Sequence, residues 1–269
     1  LEDGHRWYPN GLQLGISCAA VSLSVNGEVD NRVMHSPYAF DADNMTAGDG
    51  FSPEGARAHV RYLWGLHQAG AKIITWNGLG FDFPVLAYEC NTDTQGAYEV
   101  RLCAEMALDH IDIGFAMLCA KGYMIGLNKA AQSLGAGAKT EGMSGALAPL
   151  LWTGSREPTT EEDVKIHELG VQPGTAEARQ LCLEYVQQDA VITRATYEAL
   201  LDNGLLSWIT RRGHITKSPW EPAVVLEGGE KRLPTCREAY DSPTPDTSWM
   251  SNPWPREQFI GWALEVVNV

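Results

Sequence analysis

The residues best suited to chemistry are acidic, and they fall in two short segments. The first is Trp76-Asn77-Gly78-Leu79-Gly80-Phe81-Asp82-Phe83-Pro84-Val85-Leu86. The apolar run before it, residues 72–76, reads as a short buried strand. The glycines then turn the chain and deliver Asp82 to the mouth of a helix, with Pro84 in its first turn. Ligands collect at the ends of strands in α/β sheets, so a carboxylate there is a candidate for binding or catalysis. The structural alternative is that Asp82 only caps the helix.

The second segment is Tyr185-Val186-Gln187-Gln188-Asp189. It lies inside a long predicted helix, residues 175–202, which Asn203-Gly204 ends. Tyr185 and Asp189 are four residues apart and share a face. That face also carries Ala178, Leu181, Cys182, Ile192, Thr196 and Ala199, while Arg179, Glu184, Arg194 and Glu198 lie on others. Leu183 breaks the pattern. A carboxylate within an apolar stripe is costly unless a cation or metal pairs with it. A merely solvated Asp belongs beside Glu184 and Arg194, so the position of Asp189 points to function. A third acid, Glu2, precedes the first strand pair and is expected on an opening strand. Alone it reads as an ordinary solvated terminal residue.

Around these segments the pattern is strands first, then helix and strand in alternation, which is an α/β arrangement. Residues 11–25 are apolar and end at Asn26-Gly27, a hairpin turn signal, with a return strand over residues 29–35. Ser52-Pro53-Glu54 opens a helix that Gly70 closes. Further helices are expected over residues 104–108, 111–121 and 127–134. Thr159 and Glu162 form a capping box for a small one. Residues 205–220 read as a hairpin turning at Arg212-Gly213. From residue 219 onward the chain is rich in Pro and Trp with little periodicity.

Composition narrows the classes. The 269 residues carry a net charge of −14, which argues against a protein that coats nucleic acid by neutralising phosphates. It leaves room for an enzyme that gathers metal ions in an acidic pocket. The six cysteines form no C-x-x-C pair, so we expect reduced thiols and a cytoplasmic protein. No run is long enough to span a membrane. Asp109 and Asp112, three apart, could make another metal site, but a solvated helix start is the expected reading. His5, His110 and His214 lack ligand spacing and read as structural or surface groups.

Together these segments resemble the DnaQ-like 3′–5′ exonucleases, of the subclass with a catalytic tyrosine, within the ribonuclease H-like superfamily. The family's second motif, Asn-Gly-x-x-Phe-Asp-x-Pro-x-Leu, is matched from Asn77 to Leu86. Its third, Tyr-x-x-x-Asp, is matched by Tyr185 and Asp189, with Thr193 following. Lys121-Gly122-Tyr123 and residues 127–135 are similar to the family's helical insertion. The first motif, Asp-x-Glu, is met only by Glu2. Its aspartate would precede Leu1, and we expect it there, since Asp3 has the wrong strand parity.

The resemblance spans residues 1–213 and implies a ribonuclease H-like three-layer α/β fold, a mixed central sheet flanked by helices. Residues 214–269 then form a C-terminal Trp/Pro-rich extension packed on that domain. It implies a metal-dependent 3′–5′ exonuclease acting on single-stranded DNA or RNA. Glu2, Asp82 and Asp189 would hold two divalent cations, Mg2+ or Mn2+, ~4 Å apart, which activate water and stabilise the leaving oxygen. Tyr185 would orient the water. Asn77 and Phe81 would contact the 3′-terminal nucleotide. Two other readings stand beside this one: a catalytically inactive nucleic-acid- or protein-binding module on the same fold, and a ribonuclease or small-oligonucleotide hydrolase. In the tail, Pro243-Thr244-Pro245-Asp246-Thr247-Ser248-Trp249 reads as a strap. It either packs on the core or borders the substrate channel, with Trp249, Trp254 or Arg256 meeting a base or phosphate.

Overall fold

The computed structural model describes residues 16–34, 51–210, 212–219, 224–227, 229 and 231–268. Glu2 and His5 lie outside the described residues, as do residues 11–15 and 35 of the predicted first hairpin. Within that hairpin, β1 (Ala19–Val25) pairs antiparallel with β2 (Glu28–Met34), Ala19 opposite Met34. Asn26 and Gly27 between them both have positive φ, the geometry a two-residue hairpin turn requires.

Ser52 caps α1 (Pro53–Gln68) through its hydroxyl, which accepts the Gly55 N–H at 3.1 Å. After it comes β3 (Ile74–Thr75), then α2 (Asp82–Cys90) and α3 (Ala97–Asp109). The chain next forms β4 (Ile111–Asp112), parallel to β3, and runs directly into α4 (Ile113–Lys121). The sequence reading missed β4, because an apolar run such as Ile111 to Phe115 fits a buried strand or helix equally well. It also began α3 seven residues late.

Two short helices follow, α5 (Leu127–Leu134) and α6 (Ala148–Thr153), and then α7 (Thr160–Leu169), which opens on the Thr159–Glu162 capping box. The long helix α8 (Ala176–Asn203) is capped by Thr175 and ends at Gly204 in the left-handed conformation. Beyond it, β5 (Leu205–Ile209) and β6 (Ile215–Pro219) form the expected hairpin. The pair β7 (Val224–Val225) and β8 (Lys231–Arg232) precedes α9 (Cys236–Asp241) and α10 (Glu257–Val267).

The architecture is mixed α/β. The described strands form four two-stranded sheets, and the larger mixed sheet expected from the sequence is not among them. The largest core cluster joins α1, α2, α3, α4, α9 and α10 around Phe83, Leu102, Met106 and Phe115. A second packs α6, α7 and the first half of α8 around Trp152, with Cys18 and Val33 of the first hairpin against it. Leu183, which broke the stripe on α8, is buried in this second cluster. A long helix pressed between several elements has more than one inward face. All six cysteines are free thiols. No helix among the described residues is long and apolar enough to cross a membrane.

The tail departs from its expected irregular character. In α10, Phe259, Ile260, Ala263, Leu264 and Val267 recur at helical spacing, and Ile260 and Ala263 are fully buried in the largest cluster. The prolines and tryptophans on either side masked that period. Arg256, at the start of α10, donates to the Ser242 carbonyl at 2.8 Å and the Thr244 hydroxyl at 2.9 Å, and lies over the Tyr240 ring. Those hydrogen bonds tie the tail to itself rather than present Arg256 to a phosphate. Trp249 and Trp254 remain 67% and 55% exposed, with Trp249 edge-on to Tyr123 and Trp254 beside Phe259.

Candidate active site

The turn after β3 is built by a buried carboxylate. Asp112, 1% exposed, accepts the Asn77 N–H at 2.8 Å and the Leu79 N–H at 2.9 Å. It also caps α4 by accepting the Phe115 N–H at 3.0 Å. Three backbone donors on one carboxylate satisfy it without a metal. The expected helix start is therefore real, but it is buried rather than solvated. Asp109 instead faces outward, 3.6 Å from His67. His110 is structural, as expected: it is buried, with Nδ1 2.9 Å from the Ala107 carbonyl and Nε2 3.0 Å from the Thr75 hydroxyl.

The turn itself has little room. A Cβ on Gly78 would lie 2.5 Å from the Thr75 Oγ1, and one on Gly80 would lie 2.7 Å from both Asn77 Oδ1 and Phe259. Asn77 adopts φ +66°, which Asn tolerates better than most residues. Its Oδ1 is buried with no hydrogen-bond partner among the described residues. Phe81 is 39% exposed at the lip of the turn.

Asp82 is the first residue of α2, and Phe81 occupies the cap position without a side-chain capping hydrogen bond. The simple capping reading of Asp82 is thereby overturned. The residue as a whole is exposed, yet the atoms crowded around its carboxyl raise its pKa to about 6. Burial is the largest cause, followed by the negative charge of Asp112 and, more weakly, of Asp189; Lys139 pulls the other way. Asp82 and Asp189 are thus within electrostatic reach of each other although they come from different elements.

On α8, Tyr185 is buried and Asp189 half-buried. The cation that an aspartate in this stripe requires is Lys139. Its Nζ donates to Asp189 Oδ2 at 2.5 Å and to the Tyr185 hydroxyl at 3.4 Å, and sits 5.3 Å from the Tyr185 ring centre. Two hydrogen bonds hold the Lys139 segment in place. Asn128 Oδ1 accepts the Lys139 N–H, and Gln188 Nε2 donates to the Ala138 carbonyl. Burial alone would lower the Lys139 pKa, but the bond and charge of Asp189 outweigh it and hold it above the ordinary value. The Tyr185 hydroxyl is pushed up by burial and by Asp189. The sequence reading missed Lys139. The available signal was that it is the only cation between Lys129 and Arg156, following the glycine-rich Gly135-Ala136-Gly137.

Residues 25–201, two thirds of the chain, match the sequence pattern of the RNase_H superfamily. The chain belongs to the RNase_H superfamily. No curated protein and no solved structure matches it. The matched stretch contains Asn77, Phe81, Asp82, Lys139, Tyr185 and Asp189 and leaves out α9 and α10. Membership in the superfamily points to nuclease-type hydrolysis of nucleic acid, for which such enzymes generally use divalent metals.

Two residues of this superfamily member have the donor chemistry that such metals take. Asp189 Oδ1 is buried and has no hydrogen-bond partner among the described residues. The pKa of Asp82 is raised first by burial and then by the negative charge of Asp112 and Asp189, a charge that a cation would offset. Asp82 and Asp189 are both hard oxygen donors suited to Mg2+ or Mn2+. Among the described residues no three such ligands converge, and Glu2 stands outside them. Lys139 gives Asp189 the positive charge that its half-buried position requires.

Proposed function

We propose that this chain is a metal-dependent 3′–5′ exonuclease that shortens single-stranded DNA or RNA. What supports the reading most is that α8 packs against β3, the strand that leads into the turn carrying Asp82. Asp82, at the end of the turn held by Asp112, lies within electrostatic reach of Asp189, whose neighbour one helical turn back is Tyr185. Asp82, Asp189 and Glu2 would hold the cations. Divalent cations bound there supply the Lewis acidity that activates water and neutralises the leaving oxygen.

The chain's own groups do the rest. With its pKa raised, the Tyr185 hydroxyl stays protonated at neutral pH. It serves as a hydrogen-bond donor that orients the attacking water, not as a base. Lys139 holds the Asp189 carboxylate against α8. Once cations take over that charge, its ammonium is free to meet a phosphate oxygen of the strand. Phe81, exposed at the lip, offers a ring for the terminal base.

The test is a pair of isosteric variants. Asp82→Asn and Asp189→Asn should each remove a metal ligand and cost on the order of several kcal/mol of transition-state stabilisation on single strands. Wild-type rates in either variant would show that the site is wrongly placed.

A further inference from the structure

We propose that α10, which lies outside the superfamily match, is a strut that positions Asp82, with Trp262 and Phe259 as its positioning residues. The proposal rests on the exonuclease reading above. The turn from Asn77 to Asp82 is gripped on one side by Asp112, which takes the N–H groups of Asn77 and Leu79. On the other side it meets α10. The Trp262 indole N–H donates to the Leu79 carbonyl at 3.2 Å. The Phe259 ring lies so close to Gly80 that a Cβ there would come within 2.7 Å of it. Phe259 in turn rests on Phe115 and Trp254, at ring-centre distances of 6.2 and 6.1 Å.

Ordinary packing does not account for this arrangement alone. A cavity of about 470 Å³ lies beside the turn, lined by Leu79, Gly80, Pro84, Tyr88, Phe259 and Trp262 among others. The cleft is half open to solvent, so the turn lacks packed neighbours on that side and can move into the space. On that side the turn is thus backed by two rings and one hydrogen bond. Asp82 follows Leu79 by three residues, so a shift of the turn moves its carboxylate directly. Metal ligands and nucleophile-orienting groups tolerate such shifts poorly.

The experiment uses the full chain and four proteins: wild type, Trp262→Phe, Phe259→Leu and Ile166→Val. The last trims the second core cluster, away from α10, as a control for lost stability. Trp262→Phe keeps a ring and removes only the donor. Amide hydrogen exchange over residues 77–86 should quicken about 3- to 10-fold in Trp262→Phe and Phe259→Leu, the range for one lost hydrogen bond or its packing equivalent. On single-stranded substrate, kcat should fall and the half-saturating Mn2+ concentration rise, with KM for the strand unchanged. Ile166→Val should lower the melting temperature and change neither. The proposal is overturned if exchange at the turn in the α10 variants is no faster than in Ile166→Val. Unchanged kcat and Mn2+ requirement beside active wild type overturn it as well. If wild type cleaves no strand at all, the exonuclease reading falls, while the exchange measurement still decides whether α10 holds the turn.

Discussion

Lys139 donates to Asp189 at 2.5 Å across 50 residues of sequence, closing a charge pair on the inner side of α8. Both side chains are about one quarter exposed, so the pair is worth more than a surface ion pair and less than a fully buried one. Replacing Lys139 by Met should therefore lower metal-free stability by about 1–3 kcal/mol. It should also leave Asp189 short of a counter-charge, so Mn2+ should raise the melting temperature more in Lys139→Met than in wild type. Equal Mn2+-induced shifts in thermal melts of the two proteins would show that Lys139 and the metal do not share Asp189.

Tyr185 separates water orientation from metal binding. Its hydroxyl is hydrogen-bonded to Lys139 and its pKa lies above the usual tyrosine value. Tyr185→Phe keeps the buried ring and removes the hydroxyl. Turnover should drop roughly 10²-fold, in the range for a positioned proton-handling group, while calorimetric titration gives near-wild-type metal affinity. Loss of metal binding together with the hydroxyl would contradict the role given to it.

Asp82 makes stability depend on pH in a defined direction. Its folded pKa, about 6, lies above the ordinary 3.8. Between those values the folded chain holds a proton that the unfolded chain has released. Stability contributed by this group is therefore complete below the ordinary value and is lost as pH rises through about 6. In EDTA, Asp82→Asn should melt higher than wild type at pH 8, and the gain should shrink as pH falls toward 4. A variant that is less stable at pH 8 would mean that the carboxylate is not strained by its neighbours.

The parts of the fold and of the candidate site readable from sequence were those written in local signals. Asn26-Gly27 marked a hairpin, and Ser52 and the Thr159–Glu162 box marked helix starts, because turns and caps are satisfied by residues a few places away. The segment from Asn77 to Leu86 and the Tyr185–Asp189 spacing were equally local. Asp112 and Lys139 were not legible in the same way. Asp112 shares a sequence neighbourhood with Asp109, and only the return of the chain to Leu79, 33 residues back, buries it. Lys139 finds Asp189 only once the segment after α5 folds against α8. The hydrophobic period of α10 was present in the sequence, but its purpose, contact with Leu79 and Gly80, lies 183 residues away in the case of Trp262.

The most direct measurement is digestion of 5′-labelled single-stranded DNA and RNA by the full chain, in Mg2+, in Mn2+ and in EDTA, resolved by product length. The account predicts a ladder that shortens stepwise from the 3′ end with either metal and stops in EDTA. Release of the label as the first product, internal fragments alone, cleavage that persists in EDTA, or no cleavage of either strand would contradict it.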